Sequence, residues 1–151
     1  MPVTSKVIRY GRDTGVSKHD AEANGSILAG DLVVEEDGGA TVTQAPSSVT
    51  NDQRVFVAID DRERGMELGD EYIDGENVVY VALDATAGVN VNMADGNTLD
   101  PTSETRLVMS GTAGRVAPFN ADNPEDTLME AEEESSISAS GSEEPISAAP
   151  I

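Results

Sequence analysis

The feature that most limits the fold of this chain is a series of short, valine-rich runs, each ended by glycine, aspartate, asparagine or proline. The chain has 16 valines against 7 leucines, and β-branched residues favour strands. Strand-length runs separated by turn residues are typical of barrels and sandwiches. The predicted strands cover residues 26–29, 32–35, 40–45, 54–60, 77–83, 88–93, 105–109 and 114–117. The sequence therefore predicts an all-β protein, a small antiparallel β-barrel or sandwich.

The length of 151 residues leaves room for one ordinary domain with an arm or a tail. We expect a basic, extended N-terminal arm over residues 1–24, a barrel or sandwich body over 25–120, and an acidic C-terminal segment over 121–151. No helical period of adequate length precedes residue 120.

The C-terminal segment allows three interpretations. Asn123-Pro124 resembles the start of a helix, which 127–132 would extend. Alternatively, 127–132 and 145–151 are two strands of a closing β-hairpin around a turn at 138–142. The serine-rich, acidic composition is also typical of disorder. We favour the strands, for a reason given with the resemblance below.

The acidity is the second constraint. The chain carries 29 acidic and 9 basic residues and a formal charge of -20. This charge fits disorder, binding to or mimicry of a basic partner, or a folded surface adapted to high salt. Because only two of the nine bases are lysine and the middle is rich in patterned valine, we favour the salt-adapted surface.

The basic residues are concentrated at the N-terminus. Residues 1–19 carry four bases, Lys6, Arg9, Arg12 and Lys18, against the single acid Asp13. Residues 20–120 carry 19 acids and 5 bases, and residues 121–151 carry 9 acids and no base. The arm is thus the exception in charge, although a frayed charged terminus remains the alternative interpretation.

Composition also excludes several classes of function. With no cysteine, disulfides, thiolate metal sites and cysteine nucleophiles are impossible. An acidic chain repels phosphate backbones, so we expect no nucleic-acid partner. No apolar run is long enough to span a membrane, and the start MPVTSKVIRYGRD lacks the core of a secretory signal. We therefore expect no membrane partner.

No pattern predicts catalysis. His19 is the sole histidine, and no serine elbow is present to partner it. Paired carboxylates are frequent, but none lies in an apolar setting that would suit a general acid. The stretch Asp95–Asp100 could offer oxygen ligands to a hard cation, yet the spacing of an EF-hand is not met. We expect no enzyme activity, no catalytic residue, no metal and no cofactor.

A faint internal echo links Leu28-Ala29-Gly30-Asp31 with Glu67-Leu68-Gly69-Asp70. Two matches this short are also what ordinary Gly-Asp turns would produce.

Several short motifs together resemble a known family. They are Ala29-Gly30-Asp31-Leu32-Val33-Val34, Arg54-Val55-Phe56-Val57-Ala58, Leu68-Gly69-Asp70, the turn at 95–99 and Gly114-Arg115-Val116-Ala117. Over residues 25–151 the pattern resembles the small β-rich head decoration (cement) proteins of tailed viruses, here with the composition of a haloarchaeal virus. A final pair of strands often ends such proteins, which is why we favour strands in 128–134 and 145–151.

The resemblance implies a function as well as a fold. It implies a virion structural protein, made in the host cytoplasm, that binds the outer surface of an assembled icosahedral capsid and stabilises it by bridging subunits. Its partners would be the major capsid protein and two further copies in a homotrimer. The implied capsid contacts lie in the arm, at Lys6, Val7, Ile8, Arg9, Tyr10 and Arg12, whose strand-like and basic character suits edge pairing with an acidic capsid. The alternatives are a tail, turret or spike component of the same virion, or a cellular halophilic β-barrel that binds another molecule.

Overall fold

The computed structural model describes residues 7, 18–47, 54–86, 88–120 and 127–150. These residues form an all-β protein with two closed five-stranded barrels, which confirms the predicted fold class. Within the described ranges the only helical elements are short 3₁₀ turns at Asp37–Gly39, Arg62–Arg64 and Leu83–Ala85. The same ranges contain no helix long and apolar enough to cross a membrane.

The first half of the chain forms barrel 1. Its strands are β1 (Lys18–Ala23), β2 (Ile27–Leu28), β3 (Leu32–Glu36), β4 (Thr41–Gln44), β5 (Phe56–Ala58), β6 (Glu71–Tyr72) and β7 (Asn77–Ala82). The barrel closes in the order β1-β4-β3-β5-β7, and β2 and β6 form a separate two-stranded ribbon.

The second half forms barrel 2. Its strands are β8 (Val89–Met93), β9 (Thr98–Leu99), β10 (Arg106–Met109), β11 (Val116–Pro118), β12 (Met129–Ala131), β13 (Ile137–Ser138) and β14 (Glu144–Pro150). The barrel closes in the order β10-β11-β8-β14-β12, and β9 and β13 form the ribbon.

The two halves have the same topology, strand for strand. Adding seven to each strand number of barrel 1 reproduces every pairing of barrel 2. The single parallel pair in barrel 1, β1 with β4, corresponds to the single parallel pair β8 with β11 in barrel 2. All the other pairs are antiparallel in both halves. The chain is therefore an internal structural repeat of a seven-stranded unit.

The correspondence extends to single residues. The Asn24 N–H donates to the Val42 carbonyl oxygen at 2.8 Å, and the Ala94 N–H donates to that of Val116 at 2.9 Å. Three further pairs of backbone hydrogen bonds match in the same way: Ala45 to Leu32 with Phe119 to Arg106, Ala58 to Asp31 with Ala131 to Thr105, and Ile59 to Val79 with Glu132 to Ser147. The repeat thus fixes which residue of barrel 2 corresponds to each residue of barrel 1.

Corresponding positions differ in polarity where the barrels meet. On barrel 1, Leu32, Val57 and Ile59 pack into a core cluster that also contains the apolar residues of β8 and β10. Their counterparts on barrel 2 are Arg106, Glu130 and Glu132, which are exposed. One unit therefore buries this face against the other, while the second unit presents it to solvent.

The interior of barrel 1 is a separate cluster. It holds Phe56, Tyr72, Tyr80, Val33 and small side chains from all five barrel strands. Small residues such as Ala21 and Ala58 fill the rest, because a five-stranded barrel leaves little room for bulk.

The observed elements differ from the predicted organisation in two places. Strand β1 begins at Lys18, so residues 18–23 belong to a barrel and not to a free arm. Residues 25–120 hold four of the five strands of barrel 1 and three of the five strands of barrel 2, because five strands of three to seven residues suffice to close each barrel. In the C-terminal segment β12 and β14 pair as antiparallel strands of barrel 2, which is the interpretation favoured from the sequence. The predicted helix start at 123–124 and residues 1–6 and 8–17 of the predicted arm lie outside the described residues.

Candidate functional site

The most structured polar site is a buried joint between the barrels, centred on Asp31. This residue lies in the turn between β2 and β3 and is 0% exposed. Its Oδ1 accepts hydrogen bonds from Asn92 Nδ2 at 2.8 Å and Arg115 Nε at 2.7 Å. Its Oδ2 accepts from the Leu28 N–H and from Gln44 Nε2, both at 2.9 Å. Four donors therefore satisfy the carboxylate, as burial of a charged group demands.

The donors come from both halves of the chain. Leu28 and Gln44 belong to barrel 1, whereas Asn92 lies on β8 and Arg115 immediately precedes β11. The Arg115 side chain is 14% exposed, and its Nη1 lies 3.6 Å from Glu143 Oε2. We refer to Asp31, Gln44, Asn92 and Arg115 as the joint.

Backbone contacts reinforce the joint at two glycines. The Gly30 carbonyl oxygen accepts a hydrogen bond from the Asn92 N–H at 3.1 Å, and the Gly114 carbonyl oxygen accepts from the Leu32 N–H at 2.9 Å. Gly30 has φ +100°, and a Cβ there would lie 2.8 Å from Leu68 Cδ1. Only glycine fits both the backbone angle and the space.

One polar atom of the joint lacks a partner. The Oδ1 of Asn92 is buried and accepts no hydrogen bond from the described residues, while the Nδ2 of the same amide donates to Asp31. An unpaired buried acceptor costs free energy, so the Asp31 interaction fixes the amide in an orientation that its carbonyl oxygen does not favour.

A second site holds the N-terminal segment. Val7 is 0% exposed and packs in the cluster shared by the two barrels. Its N–H donates to Asp60 Oδ1 at 2.9 Å, and its carbonyl oxygen accepts from the Asn90 N–H at 2.7 Å. Asp60 follows β5 in barrel 1 and Asn90 lies on β8 in barrel 2, so Val7 bridges the barrels.

Three segments in succession cover one edge of β8. The N–H groups of Asn90, Asn92 and Ala94 donate to the carbonyl oxygens of Val7, Gly30 and Val116 respectively. Within barrel 2, β11 pairs with only one end of this edge of β8. The remaining N–H groups of the edge donate to Val7 and to the turn of barrel 1 at Gly30.

Of the six arm residues predicted to contact a capsid, the structure describes Val7, which is buried within the chain. Lys6, Ile8, Arg9, Tyr10 and Arg12 lie outside the described residues. No signal in the sequence distinguished Val7 from its neighbours.

An aromatic cluster lies in barrel 1. The rings of His19 and Tyr80 stack with centroids 5.5 Å apart, and Phe56 meets both edge-on. Tyr80 Oη donates to Glu35 Oε2 at 3.1 Å, and Tyr72 Oη donates to the Ile59 carbonyl oxygen at 2.7 Å. Burial raises the pKa of Tyr72 to about 12. Burial, helped by the Glu35 charge, does the same for Tyr80.

An acidic pocket of about 250 Å³ lies beside Asp60. Its lining includes Asp20, Asp61 and Glu63, with Lys18 as its basic residue. The described residues contain no group of three or more histidine, aspartate or glutamate side chains arranged to hold a metal ion.

The carboxylates of Asp95 and Asp100, the ends of the stretch considered above as a cation site, accept hydrogen bonds from other parts of the protein. Asp95 Oδ1 accepts from the Gly141 N–H at 2.7 Å. The Asp100 carboxylate accepts from Thr102 and Ser103, and these hydrogen bonds lower its pKa. The carboxylates therefore serve the loop structure.

The joint contains two residues that the sequence reasoning did not select as a pair. Asp31 and Arg115 each stand in a motif of the resemblance, yet 84 positions separate them. The sequence features that could have pointed to these two residues are the position of Asp31 beside apolar residues and that of Arg115 directly after a glycine. No protein-family model matches the chain, and no curated protein matches it either.

Proposed function

We propose that this chain is a virion structural protein that binds the outer surface of an assembled icosahedral capsid and stabilises it by bridging capsid subunits as a homotrimer. The observation that carries the proposal is the convergence of the motifs behind the resemblance. Gly30-Asp31 and Gly114-Arg115 meet in the joint, and Leu68-Gly69-Asp70 packs on the same turn.

The contacts of the third motif support this convergence. The Ala29 N–H donates to the Asp70 carbonyl oxygen at 2.9 Å, and the Gly69 N–H donates to that of Ala29 at 3.1 Å. Three of the five short motifs thus form one structural unit, which makes a chance match of separate turns a poorer account of the resemblance.

The architecture suits a structural role. The joint contains a buried ion pair, Asp31 with Arg115, at the boundary of the two barrels, and truncating such a pair is strongly destabilising. Val7 adds a second connection between the barrels. A protein that reinforces a shell must transmit load between its own halves, and these two connections resist their separation.

The arm provides a way to reach a neighbouring subunit. Val7 is fixed between the barrels, so the arm is anchored to the body at this residue. Its positive charge contrasts with the acidic remainder of the chain, and complementary charge would favour an acidic capsid surface.

The test is binding to purified shells of the parent virus from which the protein has been stripped. We expect wild-type protein to rebind at the threefold and quasi-threefold positions in hundreds of copies per particle. The triple variant Lys6→Glu, Arg9→Glu and Arg12→Glu should lose occupancy while keeping its melting temperature. Arg54→Glu, which alters an exposed arginine paired with Asp84, is the matched control and should bind normally.

Image reconstruction of the rebound particles separates the alternatives. A few copies at vertices or on the tail would replace decoration by a turret, spike or tail role. Absence of the protein from virions would favour a cellular binding protein. Full occupancy by the triple variant would reject the arm as the capsid contact.

A further inference from the structure

The geometry points to a strand-docking edge on barrel 1: we propose that the edge of β1 around Asp20 binds an extended segment of a second protein chain that carries lysine or arginine. The proposal goes beyond capsid binding and does not depend on it. It rests on the internal repeat, on the backbone directions in β1, and on the charge beside the edge.

The repeat identifies Asp20 as the counterpart of Asn90. Asp20 pairs with Val79 in β7, and Asn90 pairs with Ser147 in β14. Val79 and Ser147 correspond, since their carbonyl oxygens accept the matching hydrogen bonds from the N–H groups of Ile59 and Glu132. The parallel pairs give the same correspondence. Ala23, three residues after Asp20, lies opposite Val42, and Met93, three residues after Asn90, lies opposite Val116.

The counterpart edge is occupied in barrel 2. The Asn90 N–H donates to the Val7 carbonyl oxygen at 2.7 Å, so a residue from outside the barrel covers the edge of β8. The seven-stranded unit thus has an edge that accepts an added segment, and one of its two copies shows that segment bound.

In barrel 1 the equivalent backbone N–H, that of Asp20, points to the side of β1 opposite β7. The Ala23 N–H donates toward the β7 side, to Glu76, whereas the Asn24 N–H donates to Val42 on the other side. Alternation therefore turns the Asp20 N–H away from β7. On that side β4 pairs with β1 only at Glu22 and Ala23, so the described strands leave His19–Ala21 uncovered, and Asp20 is exposed.

Open edges of this kind bind extended chains by strand addition, and the charge here selects the partner. Asp20 and Glu22 are exposed on β1. Asp20 also lines the acidic pocket with Asp60, Asp61 and Glu63. A strand added beside β1 places alternate side chains next to these carboxylates, where lysine or arginine is favoured and glutamate is repelled.

The experiment measures amide hydrogen exchange of the full-length protein by NMR with a synthetic peptide of ten alternating valine and lysine residues. We expect the peptide to slow exchange at Asp20 at least about tenfold, with smaller changes on barrel 2. A valine–glutamate peptide tests the charge. A valine–lysine peptide with N-methylated alternate amides tests the backbone pairing. Neither should protect Asp20.

A pair of proline variants tests the edge itself. Asp20→Pro removes an N–H that faces outward, a position where sheets tolerate proline, so its melting temperature should stay within about 5 °C of wild type while peptide binding is lost. His19→Pro removes an N–H on the β7 side and should unfold barrel 1. Asp20→Asn keeps the N–H and should bind more weakly than wild type but more tightly than Asp20→Pro.

Three results would overturn the proposal. The first is an Asp20 amide already protected in the free protein, by another segment of the chain or, if protection falls on dilution, by a second copy. The second is equal protection by the N-methylated or valine–glutamate peptide. The third is undiminished binding by Asp20→Pro. Should that variant fail to fold, the N-methylated peptide still decides.

Discussion

The Asp31 carboxylate accepts a hydrogen bond from Arg115 Nε at 2.7 Å, across 84 positions of sequence and between two separately closed barrels. Asp31 is fully buried and the Arg115 side chain is 14% exposed. Solvent therefore screens the pair little, and its loss cannot be compensated by hydration.

We expect Arg115→Met to lower the free energy of unfolding by about 3–5 kcal/mol, because it leaves the Asp31 charge buried without its cation. Asp31→Asn should cost a similar amount, since an amide cannot accept from all four donors. Urea denaturation of both single variants and the double variant measures the interaction, and we expect the two changes to be non-additive by at least about 1 kcal/mol.

The exposed pair of Arg54 and Asp84 is the control. Its side chains are 60% and 72% exposed, so Arg54→Met should cost less than about 1 kcal/mol. Equal losses for Arg54→Met and Arg115→Met would show that burial does not set the strength of the joint.

Gly30 allows the two barrels to approach each other. Gly30→Ala should lower stability by about 2–4 kcal/mol, since it combines a positive φ with overpacking against Leu68 and Asn92. Gly69→Ala has φ +88° but no atom within 4 Å of the added Cβ, so it should show the backbone cost alone, about 1–2 kcal/mol. Thermal unfolding of both measures the difference, and equal losses would reject the close approach as the cause.

Much of the fold could be predicted from local sequence. Runs such as 77–83 and 88–93 predicted β7 and β8, because a short stretch of alternating or continuous apolar residues between two turns is typical of a strand. The short strand β6 at Glu71–Tyr72 was missed, because two residues carry no period. The similar segments 28–31 and 67–70 lie next to each other in the fold of barrel 1: the first follows from β2 and the second precedes β6, the partner of β2 in the ribbon. Their similarity does not mark the repeat itself.

The repeat could not be read from the sequence because corresponding residues share little chemistry. Phe56 corresponds to Met129, and Tyr80 corresponds to Ala148, by register with β7 and β14. Each barrel needs only a filled interior, which different side chains can provide. The joint was equally hidden, since a pairing 84 residues apart depends on the docking of the two barrels.

Val7 should contribute to stability from outside the barrels. Val7→Ala should lower the free energy of unfolding by about 1.5–3 kcal/mol, because a fully buried side chain is truncated. Amide exchange at Asn90, which donates to the Val7 carbonyl oxygen, should accelerate at the same time. Ile73 is 56% exposed, so Ile73→Ala is the control and should change stability by less than about 0.5 kcal/mol. A neutral Val7→Ala would contradict the bridging role.

Alkaline pH should destabilise barrel 1 through its tyrosines. The pKa of Tyr72 is raised to about 12 in the fold, and an unfolded tyrosine titrates near 10. The protonated form is therefore favoured by folding, so this stability is complete below pH 10 and is lost as the pH rises toward 12. The loss attributable to Tyr72 is about 2–3 kcal/mol.

Tyrosinate absorbance and urea unfolding, measured together between pH 9 and 12, test this expectation. Tyr72→Phe should be less stable at neutral pH by about 1 kcal/mol, through loss of the hydrogen bond to Ile59, but should lose less stability on alkalisation. A wild-type tyrosine absorbance that titrates entirely near pH 10 with the fold intact would contradict the effect of burial.

Salt should control the stability of the whole molecule, because the chain carries a formal charge of -20. Lowering KCl from 3 M to 0.1 M lengthens the screening distance to about 10 Å, so carboxylates on one barrel begin to repel those on the other. We expect the melting temperature to fall by at least about 10 °C.

The triple variant Glu63→Gln, Glu134→Gln and Glu144→Gln, all at exposed positions, separates screening from a general effect of salt on apolar burial. It should lose less stability than wild type at 0.1 M and match it at 3 M. Charge repulsion would be rejected as the cause of the salt dependence by either of two results. One is the same dependence of melting temperature on salt in the variant and the wild type, and the other is a wild-type melting temperature that does not change with salt.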